Sequence, residues 1–154
     1  MSELVQKITQ IGIVTKDARA MARRYEEIYG IGGWTILDGE KGFDPAAKAQ
    51  DLTTRGVKRD FEITLALSHV GEMEIELIQP LDEYSDYSRF LREHGEGVHH
   101  ISIITDVKGF KKQMEEREIP VLMSGRVPGV ETFTYYDCGA ELGMILEIHD
   151  TENC

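Results

Sequence analysis

The sequence predicts an α+β fold built from two tandem βαβββ modules within one domain spanning residues 1–154. Three observations carry this. Short β-rich runs alternate with amphipathic helical stretches; the same order of runs recurs after a polar link; and the halves repeat each other residue by residue. Module one covers about 7–80, the linker about 81–96 and module two about 97–150.

Ile8 to Thr15 is a β-rich run with apolar residues on both faces, closed by Lys16 and Asp17. Asp17 is placed to cap a helix through Tyr29, in which Ala18, Met21, Ala22, Tyr25 and Ile28 recur at helical spacing. Gly30 and the Gly32-Gly33 pair end that helix. Trp34 to Leu37 reads as a short strand. Residues 38–60, rich in Gly, Asp and Lys, show no period and are expected to form a lid or mobile loop. Phe61 to Leu67 and Glu72 to Gln79 are two strands joined by a turn at His69 to Gly71. After the polar link, Arg89 to His94 is a short helix ended by Gly95 and Gly97. Val98 to Thr105 is a strand, and Asp106 to Arg117 a helix with Val107, Phe110 and Met114 on one face. Pro120 to Met123, Glu131 to Tyr136 and Met144 to His149 complete the second set.

The repeat constrains the fold more than any single strand. Displaced by ninety positions, Gln10 to Thr15 lies on His100 to Thr105, with Ile11, Ile13 and Thr15 recurring as identities. Displaced by seventy-one, Met73 to Ile78 lies on Met144 to His149, with Met73 and Glu76 recurring as Met144 and Glu147. One half is too small to hide a sheet face, so the two are expected to pack together.

Charge narrows the function. A formal net charge of −11 repels polyanions, which argues against nucleic-acid binding. Arg55, Lys58 and Arg59 are the one tight basic cluster and read as a solvated loop. The two cysteines, Cys138 and Cys154, form no disulfide framework or C-x-x-C motif, which suits a reducing compartment. No apolar run reaches the roughly 20 residues that span a bilayer, and Met1 to Lys7 has no apolar signal core. A cytoplasmic protein is expected, with a small molecule as partner.

The repeat also isolates four polar positions inside apolar strands: Gln10 with His100, and Glu76 with Glu147. Taken singly, a strand glutamate faces solvent more often than a metal, as is expected for Glu74, and a lone histidine is more often structural. Symmetric placement in both halves changes that balance. Buried carboxylates must be paired, hydrogen-bonded or metal-bound. Two of them with an imidazole and an amide oxygen form a four-point site for a divalent ion, and mixed N and O donors suit Zn, Co, Ni, Mn or Fe better than Ca. His99 competes with His100, but alternation sends the two to opposite faces, and His100 aligns with Gln10. His69, His94 and His149 fall at turns or strand ends and are expected to be exposed.

Four stretches carry a resemblance over nearly the whole chain: I-G-I-V from Ile11, M-E-I-E-L-I-Q-P-L from Met73, F-L-R-E-H-G-E-G-V-H-H-I from Phe90 and L-G-M-I-L-E from Leu142. Together with the repeat they resemble the vicinal oxygen chelate (glyoxalase/bleomycin resistance/dioxygenase) superfamily, and within it the methylmalonyl-CoA epimerase-like branch. The resemblance implies a curved mixed sheet around a metal site, a homodimer, and an isomerase that removes a proton next to a carbonyl through an enolate. It makes Glu147 and Glu76 the catalytic carboxylates, Glu147 first, and Gln10, Glu76, His100 and Glu147 the metal ligands. A 2-substituted malonyl-type CoA thioester is the default substrate, with other carbonyl compounds such as isoflavanones taken by some relatives. Gln10 departs from the histidine usual in this branch and gives a ligand set similar to that of lactoylglutathione lyase (glyoxalase), so a hemithioacetal isomerase is the first alternative. A non-enzymatic small-molecule-binding member of the superfamily is the second. An additional base from the segment 38–60 is implied by the epimerases, for which Glu40 is the candidate.

Overall fold

The computed structural model describes residues 3–38 and 49–154. Glu40 lies outside the described residues. The elements run β1 (Val5–Val14), α1 (Ala18–Tyr29), β2 (Thr35–Leu37), β3 (Gln50–Thr54), β4 (Val57–Lys58), β5 (Ile63–Val70), β6 (Met73–Pro80), α2 (Asp86–His94), β7 (Gly97–Thr105), α3 (Val107–Glu116), β8 (Val121–Val127), β9 (Glu131–Cys138), α4 (Gly139–Leu142) and β10 (Met144–Asp150). The strands form one curved, mixed sheet in the order β2-β5-β6-β1-β7-β10-β9-β8-β3-β4.

The two modules are visible in that order. In each, the first strand lies beside the last and parallel to it: β1 beside β6, and β7 beside β10. The halves join edge to edge where β1 runs antiparallel to β7. Hydrogen bonds across that seam make the packing of the halves a backbone matter as well as an apolar one.

Local chemistry sets the elements. Asp17 caps α1 by accepting from the Ala20 amide at 2.9 Å, and Gly30, at φ +69°, ends it in the left-handed region. Buried Ala18 and Ala22 let α1 lie close on Ile13, Ala66, Ile75 and Leu77. On module two, Phe110 and Met114 of α3 pack against Ile103, Tyr136, Leu146 and Ile148. Both helices thus cover one face. Alternation turns Gln10, Gly12, Glu76, His100, Ser102 and Glu147 to the other.

The segment after β2 differs from the expected lid. Its described part forms a hairpin, β3–β4, that leaves module one and adds to the far edge of module two, with Thr53 opposite Ser124 and Thr54 opposite Met123. Arg55 and Gly56, at φ +50° and +80°, make the two-residue turn whose twist suits a hairpin. Buried Leu52 anchors this arm in an apolar cluster with Phe61, Tyr87, Met123 and Tyr135. Arg55, Lys58 and Arg59 are exposed, as expected. Among the described residues no helix is long and apolar enough to cross a membrane.

Candidate metal centre

The register brings the four sequence-selected donors together in two adjacent rows. Gly12 of β1 lies between Glu76 of β6 and His100 of β7. One pleat along, Ser102 lies between Gln10 of β1 and Glu147 of β10. His100 is completely buried, with its Nε2 3.2 Å from Glu147 Oε2, 3.4 Å from Gln10 Oε1 and 3.5 Å from Glu76 Oε2. Ser102 Oγ donates at 2.7 Å to Gln10 Oε1 and also bonds Glu147 Oε2.

Gly12 is part of the site through what it lacks. A Cβ at this position would fall inside the His100 imidazole. Glycine within a strand often marks such a close approach, and here the approaching group is a functional ring.

Both histidines turn to the same side, contrary to the alternation argument. The β1–β7 register slips between His100 and Val98, so His99 is the extra residue of a bulge. His99 Nε2 lies 2.7 Å from Asp86 Oδ2, and its Nδ1 lies 2.9 Å from His100 Nδ1. Asp86 is itself buried and held by Arg89 Nε at 2.6 Å. With Asp86 accepting from His99 Nε2–H, His99 Nδ1 must accept from His100 Nδ1–H. The chain of bonds therefore leaves His100 Nε2 as the atom facing Gln10, Glu76 and Glu147.

The electrostatics of the two glutamates differ. Burial raises the Glu76 carboxyl above the usual range despite the neighbouring His100. Burial acts on Glu147 too, but bonds from His100 and His149 prevail and hold it well below that range. His100 is pushed up to about 9, the two carboxylates outweighing burial. Asp86 is lowered to about 2 because His99 and Arg89 overcome its burial. Burial lowers the His99 imidazole and keeps it neutral, consistent with a relay role.

Two side chains depart from expectation. His149 is half-buried, with Nδ1 3.0 Å from Glu131 Oε2 and Nε2 3.5 Å from Glu147 Oε2, because β10 runs on past the site. It is held up at about 10, Glu131 and Glu147 overcoming burial. Glu74 faces the same side as Glu76, two residues along β6, and accepts from Gln10 Nε2 at 2.5 Å. Sequence reasoning missed Gly12, Asp86, Tyr87 and Tyr135. The Tyr87 and Tyr135 hydroxyls meet at 2.6 Å, and Tyr135 stands edge-on to His100 with centroids 4.7 Å apart. His69 and His94 are exposed, as expected.

Among the described residues no group of three or more His, Cys, Asp or Glu side chains is placed so that it could hold a metal ion as it stands. The donors instead stand as an ion-paired group around His100. Their composition and spacing nevertheless fit a divalent ion. Donors bound at about 2.1 Å to one ion lie roughly 3.0–3.4 Å from each other, close to the separations measured from His100 Nε2. Glu76 Oε2 is buried and makes no hydrogen bond, as suits an oxygen that would ligate a cation. Gln10, Glu76, Ser102, Tyr135, Glu147 and His149 all open onto a cavity of about 1020 Å³.

Two βαβββ modules that converge polar side chains on one cavity define a class of paired-module proteins. The chain belongs to the glyoxalase/bleomycin resistance protein/dioxygenase superfamily, whose family model matches residues 9–136. Its fold is similar to that of methylmalonyl-CoA epimerase from Mycobacterium tuberculosis, at 18% identity and TM-score 0.66 over 97% of this chain and 90% of that one. It is equally similar to a Streptomyces coelicolor methylmalonyl-CoA epimerase variant in complex with 2-nitronate-propionyl-CoA, at 20% identity and TM-score 0.67 over 97% and 96%. A methylmalonyl-CoA epimerase in complex with methylmalonyl-CoA and NH4+ matches at 21% identity and TM-score 0.66 over 98% and 97%. No protein of curated function matches the chain by sequence.

Proposed function

We propose that this protein is a metal-dependent epimerase or racemase acting at a carbon next to a carbonyl. The observation that carries the reading is the convergence of Glu76 and Glu147, one from each half, on one cavity beside His100. Gln10, Glu76, His100 and Glu147 would hold the ion, Zn, Co, Ni, Mn or Fe by their mixed N and O donors. When bound, such an ion supplies a Lewis acid for the negative charge of an enolate.

The remaining work falls to the chain. Inverting a stereocentre requires proton traffic at both faces of a planar enolate. The Glu147 carboxylate removes the proton from one face as general base, the protonated Glu76 carboxyl delivers its proton to the other face, and exchange with solvent resets the pair. Asp86 and His99 fix the orientation of His100, and Ser102 positions the Gln10 amide and the Glu147 carboxylate through its hydroxyl. Tyr87, Tyr135 and Phe61 line the cavity beside the carboxylates and give the substrate an apolar wall. Gln10 in place of a histidine favours a second reading, a hemithioacetal isomerase of the glyoxalase type. Incubation in heavy water tests both. An epimerase carries solvent deuterium into the α position of recovered substrate, and a substrate that returns unlabelled contradicts the reading. The homodimer and the cytoplasmic setting are proposals of the same kind; light scattering of the purified protein checks the first.

A further inference from the structure

One row of the sheet runs on past the proposed ligands. His69, Glu74, Gln10, Ser102 and Glu147 stand opposite one another in register across β5, β6, β1, β7 and β10. Neighbouring strands lie about 4.8 Å apart, so polar side chains in such a row reach one another. The bonds follow the register. His69 Nε2 lies 3.4 Å from Glu74 Oε2, Gln10 Nε2 donates to Glu74 Oε1 at 2.5 Å, and Ser102 Oγ donates to Gln10 Oε1 at 2.7 Å. Glu74 is not one of the proposed ligands, and the repeat does not call for it: opposite His100, the equivalent position of β10 is Ile145.

Gln10 differs from the two glutamates in one chemical respect. A carboxylate presents an oxygen whichever way it turns. An amide ends in an oxygen, which can ligate a cation, and in an NH2 group, which cannot, and a half-turn about its last bond exchanges them. Ser102 does not choose between these states, because a hydroxyl can donate to the oxygen or accept from the nitrogen. An ionised carboxylate accepts and cannot donate. Glu74 therefore draws Nε2 to the β6 side and leaves Oε1 facing His100 Nε2, 3.4 Å away.

We infer that Glu74 is the positioning residue of Gln10, fixing the amide so that its oxygen, and not its nitrogen, meets the ion. The inference rests on the proposed ligand set and adds to it a residue that does not touch the ion. Each non-acidic ligand then has its own carboxylate: Asp86 acts on His100 through His99, and Glu74 acts on Gln10 directly.

Calorimetric titration of the metal-free protein with Co²⁺ tests this through a double-mutant cycle. Glu74→Ala is expected to weaken Co²⁺ binding by about 10–100-fold, the usual cost of losing a group that orients a ligand. Glu74→Gln keeps an acceptor opposite Gln10 Nε2 but carries no charge. A neutral hydrogen bond is about half as strong as a charge-assisted one, so this variant is expected to recover about half of the loss on a logarithmic scale. In a Gln10→Ala protein, adding Glu74→Ala is expected to change the affinity by no more than about twofold. The visible absorption of bound Co²⁺ is expected to change in Glu74→Ala in the same direction as in Gln10→Ala. A Glu74→Gln protein as weak as Glu74→Ala reveals an effect of charge alone and overturns the inference, and so does a Glu74→Ala loss that persists in full without Gln10. If Gln10→Ala weakens binding and Glu74→Ala does not, the positioning role falls and the ligand set stands. A Gln10→Ala protein that binds Co²⁺ as the parent does removes the amide from the centre, and the ligand set falls together with the inference.

Discussion

The two halves of the centre occupy equivalent positions and do different things. Module one contributes Gln10, Gly12 and Glu76; module two contributes His100, Ser102 and Glu147. Where module two has Ser102, whose hydroxyl ties Gln10 to Glu147, module one has Gly12, whose missing side chain is filled by His100. Both carboxylates pair with His100, but Glu147 also has Ser102 and His149 as partners, whereas Glu76 Oε2 makes no hydrogen bond. Repetition supplies a symmetric scaffold, and two differences between the halves, Ser102 against Gly12 and His149 against Ile78, give the two carboxylates unequal environments. Pairs of acids pushed apart in this way are how one site obtains both an acid and a base.

The comparison is broken most severely at the carboxylates. Glu147→Gln is expected to lower kcat by about 10³-fold with an unchanged circular-dichroism spectrum. Glu76→Gln is expected to act most strongly on proton return, so that label appears in one enantiomer's exchange before it appears in racemisation; equal effects on both steps contradict the division. Gly12→Ala places a methyl where the His100 ring stands, and is expected to weaken metal binding by about 10–100-fold and to cost about 1–3 kcal/mol of stability. The equivalent change in module two, Ser102→Ala, removes the hydroxyl proton shared between Gln10 and Glu147 without adding bulk, and is expected to cost about 1–2 kcal/mol. Metal titration and chemical denaturation rank the pair, and a milder Gly12→Ala contradicts the packing argument.

A smaller effect sharpens the His99 relay. The folded-state pKa of Asp86, about 2, lies below its ordinary 3.8, so its ionised form stabilises the fold. At this nearly complete burial the contribution is about 2 kcal/mol. It is present in full above pH 3.8 and is lost as pH falls through 2. Asp86→Asn is therefore expected to be less stable than the parent at neutral pH, with the gap narrowing below pH 3.8 in denaturation curves; a gap independent of pH argues against the ion pair.

Residues recurring in the repeat were legible in the sequence, and those that the halves do not share were not. Strands β1, β6, β7 and β10 and the convergence of Gln10, Glu76, His100 and Glu147 followed from aligning one half on the other, because alternation and burial act alike on both. The β3–β4 arm was hidden because Thr53 and Thr54 pair with module two, a contact that no local period in the chain encodes. The turn at Arg55-Gly56 was its one local signal. His99 escaped because a one-residue bulge reverses alternation. Asp86 escaped because a capped helix start gives no sign of a partner thirteen residues on. Gly12 was readable in principle, as an unexplained glycine inside a strand.

The central claim is that two repeated half-sites share one cation. Anomalous scattering from crystals of the protein loaded with Co or Mn tests it most directly. The account predicts one ion per chain, bonded to Gln10 Oε1, Glu76 Oε2, His100 Nε2 and Glu147 Oε2. An ion bound elsewhere, or no ion at these four atoms under saturating metal, contradicts it.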